Sequence, residues 1–162
     1  MQPDYWAWIL PACLRKPVTP DLSQPRTILA FDFGLRRIGV AVGQNITASA
    51  SPLGVVANRD DGVDYDAIAA LVKEWQPSGI VVGMPSHADG SPSRLHEPIE
   101  AFIKQLGRFD LDIATVDERH TSAEAENVLK KARAAGSRGR VSKESVDSAA
   151  AVFIAERYLS SR

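Results

Sequence analysis

The chain has 162 residues, 44% of them hydrophobic and 24% charged, which is ordinary for a soluble globular protein and long enough for one domain with a real core. Nineteen Lys+Arg against twenty Asp+Glu leave a net charge of −1, so any affinity for a polyanion has to come from how charge is distributed. Cys13 is alone, which excludes an internal disulfide framework and a cysteine-based zinc site and fits a reducing cytoplasm.

Residues 1–26 read as an N-terminal extension. They carry prolines at 3, 11, 17, 20 and 25 and show neither helical nor strand periodicity. The stretch 5–14 is apolar, but Asp4 precedes it, no basic segment stands before it, and Pro11 interrupts it, all of which argues against a signal peptide. Trp6 and Trp8 are candidates to pin the extension to the domain. No run anywhere approaches the roughly 18 apolar residues of a membrane-spanning helix, so a membrane is not an expected partner.

From Thr27 onward a second unit, 27–162, begins. TILAFDFG predicts a nearly continuous apolar strand, RIGVAVGQ a second after a tight turn, and residues 52–57 a third. Two short connections make these an antiparallel meander. Residues 63–75 have helical spacing, with Ile68, Leu71, Val72 and Trp75 on one face. GIVVGMP (79–85) is a short, wholly apolar strand of the kind found inside a sheet covered on both sides.

After a polar loop at 86–91, Ser91 and Pro92 open a helix running to Leu106, with Pro98 expected to kink it or delay its start. DIATVDER (112–119) predicts the next strand. Thr121 and Glu124 form a capping box for a helix through Ala135, and a last helix spans about 142–159. The order βββαβαβαα predicts an α/β fold with an RNase H-like mixed sheet, three antiparallel strands followed by parallel ones, flanked by helices.

That order gathers acidic residues. Asp32 stands at the carboxyl end of the first strand, Asp117 and Glu118 at the carboxyl end of the strand before the capping box, and Asp147 one turn into the last helix. Ligands of open α/β sheets collect at such strand ends. Clustered carboxylates are hard oxygen ligands for Mg²⁺ or Mn²⁺, the ions that serve phosphodiester hydrolysis in paired sites. Each residue also has a plainer reading. Asp32 is a turn former, Asp117-Glu118-Arg119 a solvated turn, and Asp147 the partner of Lys143 at i−4.

The motifs FDFGLRRIGVAVG (31–43), VVGMP (81–85), DG (89–90), VDERHTS (116–122) and K-x-x-x-D-x-x-A-A (143–151) occur in one order over about residues 27–160. In this the chain resembles the YqgF/RuvX family, pre-16S rRNA nucleases also described as Holliday junction resolvase-like proteins. The resemblance implies Asp32, Asp117 and Asp147 as catalytic metal ligands, with Glu118 ranked second because strand alternation turns it to the other face. It implies processing of the 5′ end of pre-16S rRNA, with branched-DNA resolution as the alternative. Resolution of a junction needs two sites and hence a homodimer, whereas trimming one RNA strand needs only a monomer. Departures from the family pattern fall at Ser86-His87-Ala88, Pro98 and His120, away from the three Asp residues.

Six basic and no acidic residues lie between Lys130 and Lys143, namely Lys130, Lys131, Arg133, Arg138, Arg140 and Lys143. With Gly136 and Gly139 among them they suggest a phosphate-clamping loop, or else a solvated surface run. Arg36, Arg37 and Arg119 are further candidates for backbone contacts, and Arg119 could equally brace Asp117. His87, His96 and His120 lack metal-ligand spacing; they read as loop or capping residues, with a general-acid role open to His87 or His120. Two other classes compete. A D-x-G turn resembles the phosphate loop of actin-like ATPases, but one lobe supplies no enclosing cleft. A non-catalytic nucleic-acid-binding module has no need for three acids facing a polyanion.

Overall fold

The computed structural model describes residues 24–85, 93–118, 130 and 143–161. Six strands form one sheet: β1 (Thr27–Phe33), β2 (Arg37–Gln44), β3 (Ser49–Arg59), β4 (Gly62–Val63), β5 (Gly79–Pro85) and β6 (Asp112–Glu118). Their spatial order is β4-β3-β2-β1-β5-β6. β1 to β4 pair antiparallel, while β5 runs parallel to β1 and β6 parallel to β5. Helices α1 (Tyr65–Trp75), α2 (His96–Leu106) and α3 (Lys143–Ser160) complete the described secondary structure, with a 3-10 turn at Gly107–Phe109.

This is the predicted mixed sheet with a few differences. The third strand runs to 11 residues instead of six because a bulge lets it continue: Val40 faces Gly54 and Ala41 faces Pro52, leaving Leu53 as the extra residue. Gly54 takes φ +121°, which a side chain would resist, and Pro52 needs no ladder hydrogen bond at such a site. The two-residue β4 was not anticipated. Helix α1 starts at Tyr65 because the Asp64 carboxylate accepts the Ala67 amide at 3.0 Å. Pro98 delays α2 to His96, sitting in the first turn where its missing N–H costs nothing. The predicted Ser91 start and the Thr121–Glu124 box lie outside the described residues.

Residues 24–26, assigned to the extension, are tied to the sheet. The Asn45 side chain accepts the Arg26 amide at 2.7 Å and donates to the Gln24 carbonyl at 2.9 Å.

The two faces of the sheet carry different side chains, and the difference positions α3. One face presents Leu29, Phe31, Phe33, Ile38, Val40, Val42, Ile80 and Val82, packed against Ile68 of α1 and Ile99, Phe102 and Leu106 of α2. The opposite face presents Ile28, Ala30, Ala41 and Val81 to Ala151, Val152, Ile154 and Ala155 of α3. Large residues hold α1 and α2 off the sheet, whereas small ones let α3 lie close. Each buried Val, Leu, Ile or Phe side chain on either face contributes about 1.5–3 kcal/mol before entropy is counted, and each alanine methyl about 0.8 kcal/mol.

Candidate active site

Asp32 is the penultimate residue of β1 and is half-buried. Strand alternation puts it on the α3 face, after Ile28 and Ala30. Its cross-strand partner on β2 is Gly39. Directly over that glycine passes the backbone of Asp147, so that a Cβ at residue 39 would collide with the Asp147 carbonyl. The absence of one side chain therefore brings the second carboxylate-bearing backbone down beside the first.

The Asp147 side chain is oriented from the sheet. Arg37, the first residue of β2, forms an ion pair through Nε with Asp147 Oδ2 at 3.2 Å, with each side chain about one-third exposed (34% and 33%). The sequence offered Lys143 as an intrahelical partner, but the Lys143 side chain lies outside what the structure describes. A sheet-to-helix pair fixes Asp147 relative to Asp32, which a pair within α3 would not.

The turn joining β1 to β2 is held just as firmly. Asn58 of β3, only 9% exposed, donates its side-chain amide to the Gly34 carbonyl at 2.8 Å. Its backbone N–H donates to the Arg36 carbonyl at 3.0 Å. Gly34 is required here, since a Cβ would stand 2.5 Å from the Arg37 carbonyl oxygen. A groove of about 430 Å³ opens at this turn, lined by Gly34, Leu35, Arg36, Arg37, Leu95 and Asp147.

The third predicted carboxylate falls elsewhere. Along β6, Ile113 packs with the α1 and α2 cluster and Val116 with the α3 cluster. Asp117 pairs with Met84, shares the parity of Ile113, and is exposed. The structure thus brings Asp32 and Asp147 to one face and leaves Asp117 on the other. Because β6 continues through residue 118, paired with Pro85, alternation gives that position the parity of Val116. Among the described residues, no three His, Cys, Asp or Glu side chains form a metal-holding group.

Arg36 is exposed at the turn, and Lys130 is helical and exposed. His96 pairs with Glu100 one turn on, at 3.3 Å, as a surface residue of α2. Arg119, Arg138, Arg140, His87 and His120 lie outside the described residues. Sequence reasoning missed Asn58 and Gly39. Asn58 carries no local signal, but the run of small residues at 39, 41 and 43 on one face of β2 does announce a closely packed helix.

Comparison with known proteins bears on the family and the fold. Residues 26–161 match the family model described as "RuvX: Holliday junction resolvase". A protein of Paraburkholderia xenovorans named "Putative pre-16S rRNA nuclease" is 42% identical over 134 residues, covering 82% of this chain and 87% of that one. A protein of Azotobacter vinelandii with the same name is 42% identical over 142 residues, covering 87% and 98%. Among solved structures, the fowlpox virus Holliday junction resolvase superposes with a TM-score of 0.55 at 13% identity, covering 84% and 99%. RuvC of T. thermophilus in complex with a Holliday junction gives 0.51 at 14%, covering 81% and 91%. At such identities these two establish the RNase H-like fold.

Proposed function

Because the chain belongs to the RuvX Holliday junction resolvase family, we propose that it is a divalent-metal-dependent nuclease acting on the 5′ end of pre-16S rRNA. The observation that carries this reading is the pairing of Asp32 and Asp147 on one sheet face beneath α3, with an arginine on the second of them. A module that only bound nucleic acid would have no use for two adjacent carboxylates facing a polyanion.

Hydrolysis of a phosphodiester needs water held in line with the leaving oxygen and neutralisation of the charge that develops. The donor set suits hard cations: Asp32, Asp147 and a carboxylate from the end of β6 would hold Mg²⁺ or Mn²⁺, which supply activated water and charge neutralisation when bound. For that third carboxylate the parity of β6 favours Glu118 over Asp117, reversing their rank in the sequence reading. Asp32 is held by the β1–β2 ladder, Asp147 by Arg37, and the turn carrying Arg36 by Asn58. These interactions preorganise the acids before substrate arrives. Arg36 and the basic stretch 130–143, including Arg138, Arg140 and Lys143, supply phosphate contacts, as does Arg119.

We place the protein in the cytoplasm, as a monomer on RNA; among the described residues no helix is long and apolar enough to cross a membrane. Branched DNA is the second reading, favoured by the family's description and requiring a homodimer. A parallel assay with labelled pre-16S rRNA 5′ fragments and four-way DNA junctions decides between them. Cutting of the RNA alone supports the first reading, and paired incisions in the junction support the second.

A further inference from the structure

Among the described residues, Leu35 and Ile46 are the large hydrophobic side chains left exposed, at 65% and 64%. A lone exposed leucine needs no explanation, but its placement does. Ile46 lies in the β2–β3 connection, at the end of the hairpin away from Asp32, and lines no described groove. Leu35 is the tip residue of the β1–β2 turn, three residues after Asp32, and forms a wall of the groove that ends at Asp147.

Leu35 is also held in its exposed position. Asn58 takes the carbonyls of the residues on either side of it, Gly34 at 2.8 Å and Arg36 at 3.0 Å. Gly34 itself approaches the Arg37 carbonyl so closely that a Cβ there would collide with it, which keeps the turn tight. A buried asparagine thus holds the turn that presents an apolar side chain to solvent just before Arg36 and Arg37, across a groove whose other described apolar wall is Leu95.

We propose that Leu35 and this groove receive an unpaired nucleobase of the substrate strand next to the scissile phosphate, so that the enzyme selects strands already open at the cut site. This rests on the nuclease reading given above. The groove, at about 430 Å³, has room for a base. Its leucine walls suit a flat apolar face, and its arginines suit the phosphates on either side. Bases inside a helix are stacked and withhold those faces, whereas unpaired ones offer them. Apolar side chains that enter between bases are a known means of recognising or opening a strand.

The test uses the full-length protein, wild type, Leu35→Ser and Leu35→Met, with two matched probes in RNA and in DNA: a perfect duplex, and the same duplex with a short bulge containing 2-aminopurine. Binding is measured in EDTA by anisotropy, and base unstacking by 2-aminopurine fluorescence. The expected result is a loss of about tenfold in affinity for the bulged probe in Leu35→Ser, the order of burying one leucine. Duplex affinity should hold, the fluorescence change should disappear, and Leu35→Met should restore both. Equal losses on both probes, or no loss on either, would overturn the proposal. Cleavage in Mn²⁺ by the wild type is run beside it. Cutting together with a Leu35-independent preference sinks this inference alone, whereas neither binding nor cutting sinks the nuclease reading with it.

Discussion

Gly39 and Asp147 are in backbone contact: the helix passes so close to β2 that a Cβ on the glycine would collide with the Asp147 carbonyl. Since Gly39 is the cross-strand partner of Asp32, this one approach sets the separation of the two acids. Gly39→Ala should therefore push the start of α3 outward. The expected loss is about 1–3 kcal/mol of stability, typical of overpacking, together with cleavage activity lost well below the melting temperature. Urea unfolding and a cleavage assay on the folded variant measure the two separately. Wild-type activity in a folded Gly39→Ala protein would show that α3 need not sit so close.

Arg37 and Asp147 form a partly exposed ion pair, so its loss should barely change stability, by about 0–1 kcal/mol. The effect should appear in turnover. Removing the guanidinium in Arg37→Ala loosens the placement of Asp147, and misplacement of a catalytic group costs about ten- to a hundredfold in rate. Arg37→Gln should recover less than Arg37→Lys, which keeps the charge. A thermal melt and single-turnover kinetics make the comparison. A large drop in melting temperature with unchanged turnover would make the pair structural only.

The alternation of β6 separates two neighbouring acids. Glu118→Gln should abolish metal-dependent cleavage to about the level of Asp32→Asn, whereas Asp117→Asn should retain most of it. Cleavage rates across an Mn²⁺ titration decide the matter. The reverse order would mean that the strand end departs from the parity set by Ile113 and Val116.

The basic stretch 130–143 is expected to act through phosphates. Reversing Arg138 and Arg140 to Glu should weaken binding on every sequence. It should also lower the slope of log affinity against log salt by about one for each phosphate no longer neutralised. Binding isotherms at several salt concentrations read this directly. Affinity unchanged across salt would leave the stretch as a solvated surface.

Much of the fold was legible because its strands are written in hydrophobic runs. GIVVGMP and RIGVAVGQ appear in the structure with the bounds read from the sequence. The length of β3 was not, since Pro52 and Gly54 look like strand breakers until a bulge accommodates both. Asp32 and Asp147 were legible as strand-end and helix-start acids beside apolar runs. What stayed hidden is tertiary. Nothing near Asp147 in the chain points to Arg37, more than a hundred residues away. Nothing near Gly34 points to Asn58. The choice between Asp117 and Glu118 depends on which sheet face α3 covers, and that is decided by the small side chains at Ala30, Gly39 and Ala41 on other strands.

The proposed metal-dependent phosphodiesterase stands on Asp32 and Asp147 acting together. The most direct measurement is cleavage of a 5′-labelled pre-16S rRNA fragment by wild type, Asp32→Asn and Asp147→Asn, each in Mn²⁺ and in EDTA, with folding checked by circular dichroism. The wild type is expected to cut in Mn²⁺ alone, and neither folded variant to cut at all. Cutting in EDTA, or undiminished cutting by either variant, would contradict this reading.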